Sequence, residues 1–166
     1  MYSLNVPVPG EVARLAEELR PSLYQFDTVR DQHTLVVKRF GDHKNYDRLE
    51  MQVRTALVGS PAFEAKIAEI DIFEDPARGD GPVVYLAVES PGLRDLHSEL
   101  VSEFDCIEGI EGDDYVPHVT LARGGNLDVA RQLTERDTDP ITWTVTRLQL
   151  WDATYEEPAA TISLPA

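Results

Sequence analysis

Residues 115–124, YVPHVTLARG, form an apolar, β-branched segment interrupted by a histidine and a threonine two residues apart. Successive side chains of a β-strand point to opposite faces, so His118 and Thr120 share one face while their apolar neighbours enter a core. An imidazole beside a hydroxyl offers a proton-transfer group and a hydrogen-bond donor at a fixed separation. Arg123 adds a guanidinium suited to phosphate or carboxylate oxygens. A lone histidine on a half-buried strand is usually structural, so a functional interpretation needs a partner elsewhere in the chain.

The amino-acid composition is that of a globular protein. The 166 residues are 42% hydrophobic and 27% charged, which is enough for one domain with a sizeable core. We expect a single domain over residues 1–166, with repeated halves at approximately 1–75 and 82–166. There is no long apolar run and no signal-like start, and the single cysteine, Cys106, cannot form an internal disulfide. These features predict a soluble, cytoplasmic protein that does not associate with membranes.

The charge balance is strongly acidic. Thirty acidic residues face fifteen basic ones, for a net charge of −15. Such a balance argues against nucleic-acid binding through a broad basic surface. Abundant Asp and Glu with scarce Lys resembles proteins of salt-accumulating halophiles, in which the Debye length is about 3 Å at 1 M salt. A charged ligand would then be held by short-range contacts alone.

Apolar periodicity predicts alternating strands and helices. Asp42 or Asn45 and, later, Asn126 are candidate helix N-caps, and a change of phase between Ile67 and Ile70 suggests a β-bulge. The predicted strands cover residues 3–8, 35–37, 63–73, 84–88, the segment around His118, a long run at 143–151, and a last one around 160–164 that pairs beside it. The predicted helices lie at about 11–23, 46–57, 93–104 and 126–133.

The two halves of the chain repeat the same order of elements. Three pairs of features recur at similar offsets, namely Pro9-Gly10 with Pro91-Gly92 at 82, His33 with His118 at 85, and residues 70–73 with 148–151 at 78. Two similar units bury their sheet faces better together than apart. We therefore predict an α+β fold of two pseudo-twofold lobes, with antiparallel sheets flanking a central cleft and helices outside.

Two histidines from related strands would face each other across that cleft. Their unperturbed pKa near 6.5 allows one to accept a proton while the other donates one. Displacement at the phosphorus of a phosphate diester needs such a pair, together with donors around the non-reacting oxygens. The scheme requires no metal, and we expect no cofactor.

The second motif, PHVTLAR at residues 117–123, together with the duplicated layout, resembles the 2H phosphoesterase superfamily. The likeness is to its branch of RNA 2′,3′-cyclic phosphodiesterases, also called 2′-5′ RNA ligases, and it covers nearly the whole chain. The resemblance implies a metal-independent enzyme acting on RNA 3′ ends or small cyclic nucleotides, and we expect a monomer. By similarity, His118 is a catalytic acid or base, Thr120 binds a phosphate oxygen, and Arg123 supports the phosphate or the motif strand.

The first motif departs from the family pattern of His-x-Thr. The chain has QHTL at residues 32–35, so two alignments compete. If His33 matches His118, Lys38 matches Arg123; if Thr34 matches Thr120, Gln32 takes the place of the histidine. A bulge near Thr34 would bring both His33 and Thr34 to the cleft, and we favour His33 as the second catalytic group.

With Gln32 in the cleft, the protein would bind a nucleotide or an RNA end without cleaving it. Thr34 and Lys38 complete the set of candidate substrate-binding residues. Outside this set, we interpret His97 as a packed helix residue and the acidic segment 105–114 as solvated surface.

Overall fold

The computed structural model describes residues 1–166 as a curved antiparallel sheet with four helices, which confirms the predicted α+β fold. The strands are β1 (Tyr2–Val6), β2 (Thr28–Val29), β3 (Leu35–Gly41), β4 (Phe63–Phe73), β5 (Val83–Glu89), β6 (His118–Arg123), β7 (Ile141–Val145), β8 (Arg147–Asp152) and β9 (Glu157–Ser163). The helices are α1 (Gly10–Leu19), α2 (Tyr46–Ala56), α3 (Pro91–Glu103) and α4 (Leu127–Thr134). None of these helices is both long enough and apolar enough to span a bilayer.

The strand order is symmetric about its centre, in that equivalent strands of the two repeats lie at equal distances from the β6–β3 junction. It runs β7-β4-β5-β6-β3-β1-β8-β9, with the short β2 beside β6. One lobe is β7-β4-β5-β6 and the other is β3-β1-β8-β9, and they join where Leu35 of β3 pairs with Val119 of β6. The halves of the sequence therefore do not coincide with the lobes. The first half contributes β4 to the lobe of β5, and the second half contributes β8 to the lobe of β1.

Matching bulges give the register of the repeat. Opposite β1, strand β3 skips Val37, and opposite β5, strand β6 skips Leu121. These bulges lie two residues after Leu35 and Val119, so the backbones of β3 and β6 correspond at an offset of 84. The prediction of a bulge near Thr34 is wrong, because the bulge lies at Val37, beyond both His33 and Thr34. The predicted bulge in β4 is confirmed by a register shift between Ile67 and Glu69.

The sheet has one buried face and one cleft face. Alternate strand residues such as Leu4, Leu86 and Leu150 belong to a core cluster of 33 buried residues that continues through both lobes beneath the helices. Their neighbours along the strands point to the cleft, as alternation requires. The side chains of Asn45 and Asn126 accept hydrogen bonds from the first turns of α2 and α4, which confirms both N-caps.

The prediction of one long strand at 143–151 is wrong. The strand is interrupted at Thr146, so that β7 pairs with β4 in one lobe while β8 pairs with β1 in the other. Both pieces carry the same apolar alternation, and the sequence pattern alone could not separate them. The predicted pairing of the last strand is confirmed, since β9 lies beside β8.

Candidate active site

His118 begins β6 and points into the cleft. Its ring lies edge-on to the rings of Phe73 and Tyr85, with centroid separations of 5.2 and 5.4 Å. The Nδ1 atom is 2.6 Å from the carbonyl oxygen of Val116. Because a carbonyl can only accept, Nδ1 carries the proton in the neutral ring, and Nε2 remains a free base.

Burial lowers the pKa of His118 below its ordinary value of 6.5. The hydrogen bond to Val116 opposes this shift, while the positive charges of Arg39, Arg123 and Arg30 add to it. At neutral pH the imidazole is therefore uncharged. An uncharged imidazole held by its Nδ1–H, with Nε2 free, is suited to accept a proton.

His118 lines a cavity of about 340 Å³ between the two lobes. The floor includes Val36 of β3 and Phe73 of β4, and the rim comes from the loops around residues 75–78 and 109–116. Three arginines reach this cavity, namely Arg39, Arg78 and Arg123. The acidic side chains on its lining, Asp75 and Asp114, are exposed.

Arg123 ties β6 to the rim of the cavity. Its Nη1 donates to the carbonyl oxygen of Arg78 at 2.7 Å, while its Nε is buried and has no hydrogen-bond partner. The side chain thus both holds the loop that carries Arg78 and keeps one buried donor uncommitted. Because an unpaired buried donor is costly, an anion at this position would be favoured.

The threonines of the two motifs meet where the lobes join. Leu35 lies beside Val119 in the antiparallel register, so one step along the strands sets Thr34 beside Thr120 and Val36 beside His118. Both threonines are half-buried. Both threonines lie on the strand face that carries His118, although neither lines the His118 cavity itself.

His33 lies outside this cavity. It lines a second one of about 370 Å³ at the end of β1, together with Gln32 and Thr34, and its other lining residues include Asn5 and Trp151. The two cavities share no residue. Burial lowers the pKa of His33, and Glu17 opposes that shift. The structure therefore groups His118 with Arg123, and His33 with Thr34 and Gln32.

The offset of 84 shows which first-strand residues occupy the positions of the second motif. Thr34 corresponds to His118, Val36 to Thr120 and Arg39 to Arg123. Arg39 was missed because the offset of 85 drawn from the histidines assigned that place to Lys38. The apolar alternation of Leu35 and Val37 against Val119 and Leu121 requires an even offset, and this signal was available in the sequence.

Lys38 does not reach the cleft, which corrects its assignment to substrate binding. Its side chain has no exposed surface, and its Nζ donates to the carbonyls of Arg39 and Asp105 and to Glu111 Oε1 at 2.6–2.7 Å. The bulge at Val37 turns this residue toward the core. Three acceptors satisfy all three donors of the ammonium group.

Glu111 is the second buried charge and was also missed, because it lies in a segment that we interpreted as solvated. It is 3% exposed, and its carboxylate accepts from Lys38, from the backbone N–H of Ile107 and from the backbone N–H of Arg39. The pair fastens the loop at 105–115 to β3. Since Gly109, Ile110 and Asp114 of this loop line the His118 cavity, the pair shapes the site without entering it.

Two further side chains fasten the same loop. His97 is packed in the core, as predicted, with Nδ1 2.6 Å from the carbonyl oxygen of Val37 and Nε2 accepting from Gly112 N–H. Its ring stacks on Tyr115 at 3.7 Å, and the Tyr115 hydroxyl donates to the carbonyl of Val36. Tyr115 is therefore a packing residue beside the motif.

Comparison with known proteins gives a consistent family. The model of the 2′-5′ RNA ligase superfamily matches residues 8–155. No curated protein sequence matches the chain significantly. Among solved structures, Escherichia coli LigT complexed with 3′-AMP is 17% identical with a TM-score of 0.66, covering 99% of this chain and 98% of LigT. TT0787 of Thermus thermophilus is 18% identical with a TM-score of 0.63, covering 98% and 94%. LigT complexed with phosphate is 18% identical with a TM-score of 0.65, covering 98% and 95%.

Because the family model spans most of the chain, the protein belongs to the 2′-5′ RNA ligase superfamily, a family of 2H phosphoesterases. The solved structures show the same fold. At these identities they carry no residue roles over to this chain.

Proposed function

We propose that this member of the 2′-5′ RNA ligase superfamily is a metal-independent phosphodiesterase that opens 2′,3′-cyclic phosphates on RNA ends or nucleotides. The observation that carries the proposal is the state of His118, an uncharged imidazole whose Nε2 is free in a cavity lined by three arginines. That LigT has been solved with 3′-AMP and with phosphate supports a nucleotide substrate.

In the proposed reaction, His118 acts as the general base. Nε2 takes a proton from a water molecule as its oxygen bonds to phosphorus, and the bond from phosphorus to the ribose 3′ oxygen breaks. The 3′ oxygen receives a proton, so the product carries a 2′-phosphate. A positioned base of this kind contributes roughly 10²–10⁴-fold to the rate.

The non-reacting phosphate oxygens carry the charge that develops in the transition state. Thr120 and Thr34 lie next to His118 where the lobes join, and Arg123 holds one uncommitted donor nearby. We assign these three residues to the phosphate. Donors fixed in advance stabilise such charge without reorganising during the reaction.

A second group must protonate the departing 3′ oxygen, and we assign this step to His33, whose separate cavity includes Thr34, the residue beside Thr120 in the register. Of the other histidines, His97 is in the core, and His43 bonds to the carbonyl of Phe40 in the turn after β3. His33 remains as the imidazole of the first lobe, in the cavity that also contains Thr34. A 2′-5′ linkage would enter the same site, because its hydrolysis keeps the bond from phosphorus to the ribose 2′ oxygen, breaks the bond to the 5′ oxygen of the next nucleotide, and uses the same groups.

The test is turnover of 2′,3′-cyclic AMP and a 2′-5′ dinucleotide in molar KCl with EDTA, using 3′,5′-cyclic AMP as the matched control. We expect hydrolysis of the first two substrates and none of the third, with a 2′-phosphate detected by phosphorus NMR. Absence of turnover on every substrate, in a protein whose folding is verified by circular dichroism, would reject the proposed phosphodiesterase activity.

One observation favours a second function, that of a protein that binds RNA ends or nucleotides without cleaving them. Thr34 occupies the position of His118 in the first lobe, and His33 lines a separate cavity. Such a protein would bind 3′-AMP, as measured by calorimetry, and leave the cyclic phosphate intact. Binding without turnover supports this alternative, and turnover excludes it.

A further inference from the structure

Arg39 is a positive charge without a partner in a protein that has twice as many acidic as basic residues. Its guanidinium lines the His118 cavity, and burial lowers its pKa. It takes part in none of the ion pairs of the chain, and its side chain makes no hydrogen bond. Desolvating a charge without pairing it is costly, so a ligand that supplied negative charge here would recover part of that cost.

The backbone at Arg39 is held firmly. Its N–H donates to Glu111 Oε2 at 2.9 Å, and Glu111 is itself paired with the buried Lys38. The carboxylate anchors the strand through the backbone and is already paired with Lys38, although its charge still raises the pKa of Arg39. A fixed backbone with an uncommitted side-chain head is the arrangement of a preorganised anion site.

Arg78 faces the same space from the rim. Its positive charge contributes to the lowered pKa of Arg39, and its carbonyl is held by Arg123 at 2.7 Å. Arg78 is exposed, so a ligand reaches it from solvent. The two guanidiniums come from a strand and from a loop, and they converge on one cavity.

Arg39 lies farther along β3 than the residue beside His118, although its charge still acts on the His118 ring. Val36 is the residue beside His118, and Arg39 follows it beyond the bulge, at roughly 7 Å along a strand that rises about 3.3 Å per residue. An anion at Arg39 and Arg78 would thus be a neighbour of the phosphate at His118, Thr34 and Thr120. The cavity that His118, Arg39 and Arg78 share, about 340 Å³, has room for more than one phosphate group.

We propose that Arg39 and Arg78 bind a second phosphate of the substrate. The inference rests on the proposed function and names its substrate class. The preferred substrate is an oligonucleotide end, in which a phosphodiester adjoins the terminal 2′,3′-cyclic phosphate, in preference to a mononucleotide. Arginine suits this role since its planar fork binds phosphate oxygens through two parallel hydrogen bonds.

The test compares kcat/KM for a diadenosine ending in a 2′,3′-cyclic phosphate with that for 2′,3′-cyclic AMP, in molar KCl. We expect the wild type to prefer the dinucleotide by about tenfold or more, as one charge-assisted contact provides. In Arg39→Gln this preference falls by about tenfold, and Arg39→Lys keeps part of it. Arg78→Gln, on an exposed loop, is the variant least able to disturb folding, and it should reduce the preference in the same direction.

Arg147→Gln is the matched control, since it removes an exposed arginine on β8 that has no side-chain hydrogen bond. It should keep the wild-type preference. Equal kcat/KM of the wild type for both substrates, or an unchanged preference in both the Arg39 and Arg78 variants, would overturn the second-phosphate site.

A binding measurement tests the second-phosphate site independently of the proposed catalytic function. If the wild type turns over neither substrate, calorimetry with a 2′-phosphorylated diadenosine and with 2′-AMP tests the subsite alone. The site then predicts tighter binding of the dinucleotide, lost in Arg39→Gln. Equal affinities would reject it whatever the protein's activity.

Discussion

Strands β3 and β6 correspond in backbone register over residues 35–39 and 119–123 and differ on their cleft faces. Both carry a bulge two residues after the point where they pair, and each carries an arginine, Arg39 or Arg123, that reaches one cavity. On the cleft face, β6 presents His118 and Thr120, whereas the corresponding residues of β3 are Thr34 and Val36. The comparison teaches that the core face maintains the duplicated backbone, while the cleft face is free to differ.

The buried faces differ in polarity at one position. Lys38 corresponds to Ala122, and only Lys38 has a buried carboxylate as its partner. The first strand therefore holds a charge where the second holds a methyl group. The charge of Lys38 fastens the loop at 105–115 to β3. Ala122, the corresponding residue of β6, can form no such ion pair.

The largest effect on activity is expected from His118→Ala. Loss of the only histidine in the arginine-lined cavity should lower kcat/KM for 2′,3′-cyclic AMP by roughly 10²–10⁴-fold. His43→Ala, in a polar turn, is the control and should keep wild-type activity. Unchanged turnover in His118→Ala would show that β6 does not carry the catalytic base.

The largest effect on stability is expected from Lys38→Met. It leaves Glu111 buried without its partner, which should cost about 3–5 kcal/mol of the free energy of unfolding. Urea denaturation in molar KCl measures this cost. The double variant Lys38→Met/Glu111→Gln should recover part of the loss, and Lys66→Met, at an exposed site, should lose little. A Lys38→Met protein as stable as the wild type would contradict the buried pair.

A smaller loss is expected from His33→Ala, roughly 100-fold in kcat, at the low end of the range for a proton-transfer group. Gln32→Ala, which alters the same cavity, is the matched variant and should retain most activity. If Gln32→Ala proved the more damaging of the two, the alignment that places Gln32 in the cleft would be the better one.

The two threonines should contribute similar, modest amounts. Thr120→Val and Thr34→Val each remove one hydroxyl with little change of shape, and each should lower kcat/KM by about 3- to 10-fold. A large effect at Thr120 with none at Thr34 would restrict phosphate binding to the second motif. Thermal unfolding of both variants checks that packing is retained.

The smallest effect is a displacement of the pH profile. His118 must be uncharged to accept a proton, so kcat/KM should fall as the pH drops through its pKa, which lies below 6.5. Arg39 contributes to that lowering, and Arg39→Gln should therefore raise the pKa and move the acid limb to higher pH. An acid limb that moved to lower pH, or did not move, would show that the charge of Arg39 does not lower the pKa of His118.

Local patterns predicted much of the fold. The alternation in β4, the bulge at Ile67, the N-caps at Asn45 and Asn126 and the packing of His97 followed from residues close together in sequence. They were confirmed because alternation and capping depend on neighbours only a few residues away. The prediction of one long strand at 143–151 was wrong for the opposite reason. Its break at Thr146 depends on two partner strands that lie in different lobes.

The candidate site was predictable in its second half and not in its first. PHVTLAR at 117–123 identified His118 and Arg123, which the structure brings to one cavity. In the first half, an offset wrong by one residue assigned Lys38 the place of Arg39. A shift of one residue exchanges the faces of a strand, so the error moved a core residue to the cleft.

By itself, the sequence determined the elements, the duplication and the intact motif, because each is written in spacings along the chain. The tertiary structure alone decided which lobe each strand joins, where the first motif lies and which charges are buried. Lys38 and Glu111 are 73 residues apart and meet only when the loop folds over β3. The register between distant strands is likewise set by packing of the whole core, which no local spacing encodes.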